Sequence, residues 1–358
     1  MIRLLLRTLC LGALCHALLA GAAHAHALSP EALEAQFGPE ALKQRQRHAA
    51  VDVMTLGEGD QRVYVFMPAQ PALRGKAPIV FFHHGWQGMN PLNFGGLIDH
   101  LARSGQVVIY PVYQQSARTS PQLVTAAAAD ANRRALEALK ARYELTPDPQ
   151  RILYYGYSMG ATIALNLALD PAAYHLPAPR ALMLVAPGNA HHVVHGPEGR
   201  SIIGPVEQLP SRLPIALLTG EADTSIGLPT ARLLAARLCG IRADRRVLMV
   251  LPSGEHDGRK VKAGHGSPGA PDSRYDFALT REDIPTRIPG RSGFEASASL
   301  NQLDFYGYWK VIDALTDSLE KGELPASVFG DGTPQQTYLG RWPDGTPYPP
   351  AQIENMCP

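Results

Sequence analysis

The segment Gly156-Tyr-Ser-Met-Gly160 holds the residue of this chain best suited to covalent chemistry, Ser158. A serine hydroxyl is a weak nucleophile at neutral pH. It can attack a carbonyl only if it is exposed, close to a base, and opposite donors that stabilise an oxyanion. Gly156 and Gly160 leave room for a strained turn that would expose it, and the flanking sequence supplies the setting such a turn requires. An apolar run, ILYYGYS, leads in, and MGATIALNLAL leads out with the composition of a helix. The chemistry such a serine performs is acyl transfer through a covalent acyl-enzyme.

Ser158 must be carried by a sheet, and the sequence alternates accordingly. Residues 51–54 and 62–67 read as early strands, the second alternating Val63, Val65 and Met67 against Tyr64 and Phe66 around a GEGD turn. The short apolar run IVFF stops at HHGWQG, and a helical stretch follows from Asn93 to Ser104. Val107–Tyr110 is a second such run. Ser120-Pro121 reads as the cap and first residue of a helix reaching about Tyr143. Further strands are expected at 181–185, 215–219 and 247–251, with a helix from Pro229 to Leu238. Short, wholly apolar strands that alternate with helices predict an α/β fold, a doubly wound and mostly parallel sheet with helices on both faces. In such sheets ligands sit beyond the carboxyl ends of the strands, where GYSMG and HHGWQG fall.

From about residue 60 to 310 this order of motifs resembles the α/β-hydrolase family. The resemblance implies a carboxylic ester hydrolase with a Ser-His-Asp triad, with an amide or peptide hydrolase using the same triad as the alternative, and a non-catalytic binding protein on the same fold as a third reading. It maps HHGWQG onto the oxyanion loop, so that the backbone N–H groups of Trp86 and Met159 would hold the oxyanion and His83 and His84 would orient the loop. In IALLTGEADTSIG it places the acid at Asp223, with Glu221 as competitor. For the base it offers two histidines in LPSGEHDGRKVKAGHGSPG. His256 lies five residues beyond Leu251, the usual reach in the family, and is preferred; His265, between small residues in AGHG, is the alternative. The stretch from His256 to LDFYGYWKVIDAL and LGRWPDGTP is similar to a poorly characterised group of secreted bacterial hydrolases. More distantly, the layout resembles dienelactone hydrolases, chlorophyllases and polyester-degrading cutinases.

The ends and the composition bound the rest. Arg3 and Arg7 precede an apolar run ending in AHAHA, which reads as a signal peptide over residues 1–27 cleaved after Ala25 or Ala27, and hence as export to the periplasm or beyond. The remaining cysteines, Cys239 and Cys357, are too few for a structural zinc site and are either one disulfide or two separate thiols. No metal or other cofactor is expected. A net charge of +1 argues against a nucleic-acid surface and for a small-molecule substrate. Residues 28–358 read as a single domain without a large lid, with loop insertions at about 188–211 and 257–300. Residues 28–50 look like an amphipathic lead-in capped by Ser29, and the stripe Tyr306, Tyr308, Trp309 reads as core.

Overall fold

The computed structural model describes residues 28–116, 118–188, 202–277 and 299–357. The leader reading on residues 1–27 lies outside them, as do large parts of the two expected insertions.

Nine strands form one sheet in the order β1-β2-β4-β3-β5-β6-β7-β8-β11. The two expected early strands, β1 (Ala50–Leu56) and β2 (Val63–Ala69), form an antiparallel hairpin at one edge of the sheet. The centre is parallel: β3 (Gly75–His83), β4 (Val107–Pro111), β5 (Leu145–Tyr157), β6 (Ala181–Val185), β7 (Ile215–Gly220) and β8 (Arg246–Leu251). Successive residues of a central strand go to opposite cores. Ile79 and Phe81 pack on one face with Ile163 and Leu167, whereas Val80 and Phe82 pack on the other with Leu97 and Ile312. Burial of both faces is why the inner stretches of these strands, such as Ile79–Phe82 and Ile152–Tyr155, are apolar, each large side chain contributing roughly 1.5–3 kcal/mol.

Helices α3 (Gly95–Arg103), α4 (Val124–Tyr143), α5 (Met159–Leu169) and α6 (Gly227–Arg237) connect the parallel strands. The lead-in is two helices, α1 (Pro30–Phe37) and α2 (Pro39–Arg45), broken at Gly38; Ser29 Oγ accepts the Ala32 N–H at 3.2 Å as the expected cap. Helix α4 begins three residues later than Pro121. Ser120 instead opens a turn closed by the Leu123 N–H, because Ser-Pro suits a turn as well as a helix start. The aromatic stripe lies on a π-helical turn, Leu303–Trp309, that runs into α7 (Lys310–Lys321).

Three short strands were not foreseen. Strand β11 (Gln352–Glu354) pairs antiparallel with β8 and covers that edge of the sheet. A small hairpin, β9 (Gly254–His256) with β10 (Arg259–Val261), follows β8. Cys239 and Cys357 form a disulfide that ties the end of α6 to the segment after β11, with their Cα atoms 5.8 Å apart.

Candidate active site

β3 lies between β4 and β5, so the chain leaves β3 in one direction and β5 in the other. A crevice opens beyond the strand ends at such a reversal. The loop after β3 and the turn after β5 meet there, with His83 paired to Gly156 in register. Ser158 sits between strand and helix at φ 53° and ψ −118°. That backbone is strained by about 1–3 kcal/mol for a residue with a Cβ and persists only because its surroundings hold it. Its N–H donates to Val185 O at 3.0 Å, and its carbonyl accepts from Gly188 N at 2.9 Å and Ala161 N at 3.0 Å. Both flanking glycines are required: a Cβ on Gly156 would stand 2.3 Å from Gly160 O, and one on Gly160 would stand 2.0 Å from His83 O.

The Ser158 hydroxyl is joined to a histidine and an aspartate. His265 Nε2 lies 3.0 Å from Ser158 Oγ, and His265 Nδ1 lies 2.6 Å from Asp223 Oδ2. Asp223 is buried while the His265 ring stays about a quarter exposed, so the carboxylate is shielded and the imidazole open to a ligand. Asp223 follows β7 in a turn closed by its own N–H to Gly220 O, and a Cβ on Gly227 at the start of α6 would sit 2.1 Å from Asp223 Oδ2. Gly220 lets the histidine segment approach: Ala222 N donates to Ala263 O at 3.0 Å, and a Cβ on Gly220 would strike that same carbonyl.

His256, the histidine preferred from its distance to Leu251, is not at this site. It ends strand β9, pairs there with Arg259 of β10, and turns its Nε2 to Asp344 Oδ2 at 2.7 Å beside the Trp342 ring. The hairpin takes up the intervening residues, and the returning chain delivers His265. Its loop is pinned from beneath. Tyr157 OH donates to His265 O at 2.8 Å, and Ser267 Oγ donates to Gly264 O at 2.7 Å while its oxygen accepts from Tyr308 OH at 2.7 Å. Burial pushes the Tyr157 and Tyr308 hydroxyls well up, and the Asp223 carboxylate adds to both shifts; they stay protonated donors. Tyr308, read as core, is therefore core and loop support together. Glu221 does not compete with Asp223, since its Oε1 accepts the Ser253 N–H at 2.7 Å.

The loop after β3 presses on the same turn, for a Cβ on Gly85 would lie 3.0 Å from Ser158 Cβ. Met159 opens α5, so its N–H has no acceptor within the helix and stands at the positive end of the helix dipole. His83 and His84 are both fully buried; the His83 ring ties the end of β3 to β5 and α4, and the His84 ring lies against loop carbonyls. Burial pushes His83 down to about 3; its Nδ1–H donates to Tyr155 O at 3.1 Å and its Nε2 accepts from Asn132 Nδ2 at 3.2 Å. His84 places Nδ1 2.6 Å from Gly85 O and Nε2 3.0 Å from Val112 O, and stacks on Tyr113 with centroids 4.1 Å apart. Two carbonyl acceptors favour its charged form, but burial outweighs them and pushes it down to about 4. Among the described residues no group of three or more His, Cys, Asp or Glu is placed to hold a metal.

The family model described as chlorophyllase matches residues 44–197, less than half of the chain. No curated protein matches it. Among solved structures the chain is similar to a thermophilic esterase, Est2, from the planctomycete Thermogutta terrifontis, solved with propionate bound, at 17% identity and a TM-score of 0.50 over 78% of this chain and 96% of that one. The same esterase in its native form gives 17% identity and a TM-score of 0.48 over 78% and 94%. Esterase 2 of that organism phosphorylated by paraoxon gives 20% and 0.44 over 59% and 86%.

Proposed function

We propose that this chain, which has the α/β-hydrolase fold, is a serine hydrolase that cleaves small-molecule carboxylic esters with Ser158 as nucleophile, His265 as base and Asp223 as acid. The observation that carries the reading is the continuous hydrogen-bonded line from Asp223 Oδ2 through both nitrogens of His265 to Ser158 Oγ, at 2.6 and 3.0 Å. His265 Nε2 takes the hydroxyl proton as Oγ attacks the ester carbonyl. Buried Asp223 holds the ring with Nδ1 protonated and stabilises the imidazolium that forms. The N–H groups of Trp86 and Met159 receive the oxyanion, with the α5 dipole behind the second. Collapse of the tetrahedral intermediate expels the alcohol, protonated by His265. Water then attacks the acyl-enzyme with His265 again as base. Est2, solved with propionate, supports the choice of a carboxylic ester.

Export to the periplasm or the medium belongs to the same proposal. It is supported by the leader pattern of residues 1–27 and by the Cys239–Cys357 disulfide, a bond that persists in oxidising compartments. The test is incubation of the mature chain with a fluorophosphonate probe and with p-nitrophenyl acetate. Labelling at Ser158 together with release of p-nitrophenol is expected; an unlabelled Ser158 overturns the reading.

A further inference from the structure

We infer that Gln114 is a positioning residue for the oxyanion loop, a role that rests on the hydrolase reading above: it fixes the Trp86–Gln87 peptide and thereby keeps the Trp86 N–H available to the oxyanion. Gln114 lies three residues past the end of β4, is 1% exposed, and accepts the Gln87 N–H on its side-chain Oε1 at 3.0 Å.

The whole segment Tyr110–Gln114 runs alongside the loop His84–Gly88 and grips it at successive points. Tyr113 OH donates to His84 O, and Tyr110 OH donates to Gly88 O. Gly88 N donates to Gly85 O at 2.9 Å, and His84 Nδ1 lies 2.6 Å from the same oxygen. In a trans peptide the carbonyl and the following N–H lie in one plane and point opposite ways, so a fixed Gly85 carbonyl sets the plane of the Trp86 N–H. That plane stays in place only if the next one does, because the two meet at the Trp86 Cα. Gln114 holds the next plane. The Trp86 N–H itself makes no hydrogen bond among the described residues, as a donor reserved for a ligand should.

Two further observations separate this role from simple packing. Gln87 has φ 65°, the left-handed backbone of the third residue in the turn that Gly88 N closes on Gly85 O at 2.9 Å, and Gln114 Oε1 takes the N–H of that same residue. The other half of the amide, Nε2, is buried with no partner among the described residues. An apolar side chain of the same length would fill this space without an orphaned donor, so filling space does not account for an amide here. What the amide contributes is its carbonyl, aimed at one peptide of the loop.

The test is Gln114→Met, which keeps the length and removes the acceptor, with Gln114→Asn, which shortens the arm, as the second variant. Each is assayed on p-nitrophenyl acetate, with phenylboronic acid as a probe that forms a tetrahedral adduct on the serine, and thermal melting reports folding. A displaced oxyanion donor weakens only the tetrahedral state. In folded variants kcat should therefore fall roughly 10- to 100-fold, less than outright loss of a donor, with KM within about twofold. The inhibition constant of the boronic acid should rise by the same factor as kcat falls. If kcat and boronate affinity are kept in a folded variant of an active wild type, the role of Gln114 is overturned alone. A drop in kcat without a matching loss of boronate affinity overturns it too. An inert wild type unlabelled at Ser158 overturns the hydrolase reading and this role with it.

Discussion

His256 and His265 follow the same strand, nine positions apart, and each holds an aspartate, but their surroundings differ. Asp344 is exposed, contributed by the C-terminal segment, and its carboxyl is held low chiefly by the hydrogen bond from His256. Asp223 is buried at the end of β7, and its histidine has Ser158 Oγ on the other ring nitrogen. A third pair, His100 with Asp313, is buried between helices, where the ring stacks on Trp309 and its Nδ1 has no partner among the described residues. An aspartate beside a histidine is thus common in this molecule and does not mark a catalytic pair. What sets the His265 pair apart is the group at the second nitrogen, together with a carboxylate kept from water while the ring stays reachable.

The comparison can be broken most directly at the two bases. His265→Ala should lower kcat on p-nitrophenyl acetate by roughly four to six orders of magnitude, as loss of a triad member does, and Asp223→Asn by about four, through the wrong tautomer. Equal activity in His265→Ala and wild type would end the assignment. Next in size is the C-terminal segment. The disulfide closes a separation of 118 residues, so Cys239→Ser with Cys357→Ser should cost about 2–5 kcal/mol in denaturant unfolding. The same pair should leave kcat within about threefold, because the segment holds His256 and not His265.

Buried His83 gives a pH signature. Its native pKa of about 3 lies below the roughly 6.5 of an unfolded histidine, so the stability it confers is fully present above pH 6.5 and is lost as pH falls toward 3. Unfolding free energy should fall by up to about 1.4 kcal/mol per pH unit in that window, and His83→Gln should remove that part of the slope. A slope unchanged in the variant would show that another group is responsible. The loop support sharpens the contrast on a smaller scale: Ser267→Ala loses the bonds to Gly264 O and Tyr308 OH and should cost about 1 kcal/mol and a few-fold in kcat. Smallest of all, His256→Ala should change kcat by less than about twofold, as surface substitutions away from a site do.

The setting of Ser158 was legible because its constraints are local: two glycines, an apolar strand and a helix within a dozen residues. The positions of the loop after β3 and of Asp223 were legible for a related reason, since each lies directly past a central strand whose apolar run gives it away. The histidine beside Ser158 was not. Which histidine reaches Ser158 depends on a hairpin of two three-residue strands, and that hairpin is braced by Trp342, Asp344 and Tyr348 from far along the chain. Five residues of reach from Leu251 was a statement about contour length, and the hairpin spends that length elsewhere. β11 was missed because Gln352-Ile-Glu354 is too short to show alternation. Gln114 was missed because one glutamine past a strand reads as loop, and only its burial separates it from one.

The place of β11 bears on how the chain comes to be made. Among the described residues the outer edge of β8 is paired by Gln352–Glu354, about a hundred residues further along the chain. At a synthesis rate of about 5–20 residues per second, that edge waits several seconds with its N–H and C=O groups open after β8 itself has been made. An open edge is a template for another copy of the chain. The interval before β11 arrives is therefore when nascent molecules are most prone to pair with one another, and when a holding chaperone has most to protect.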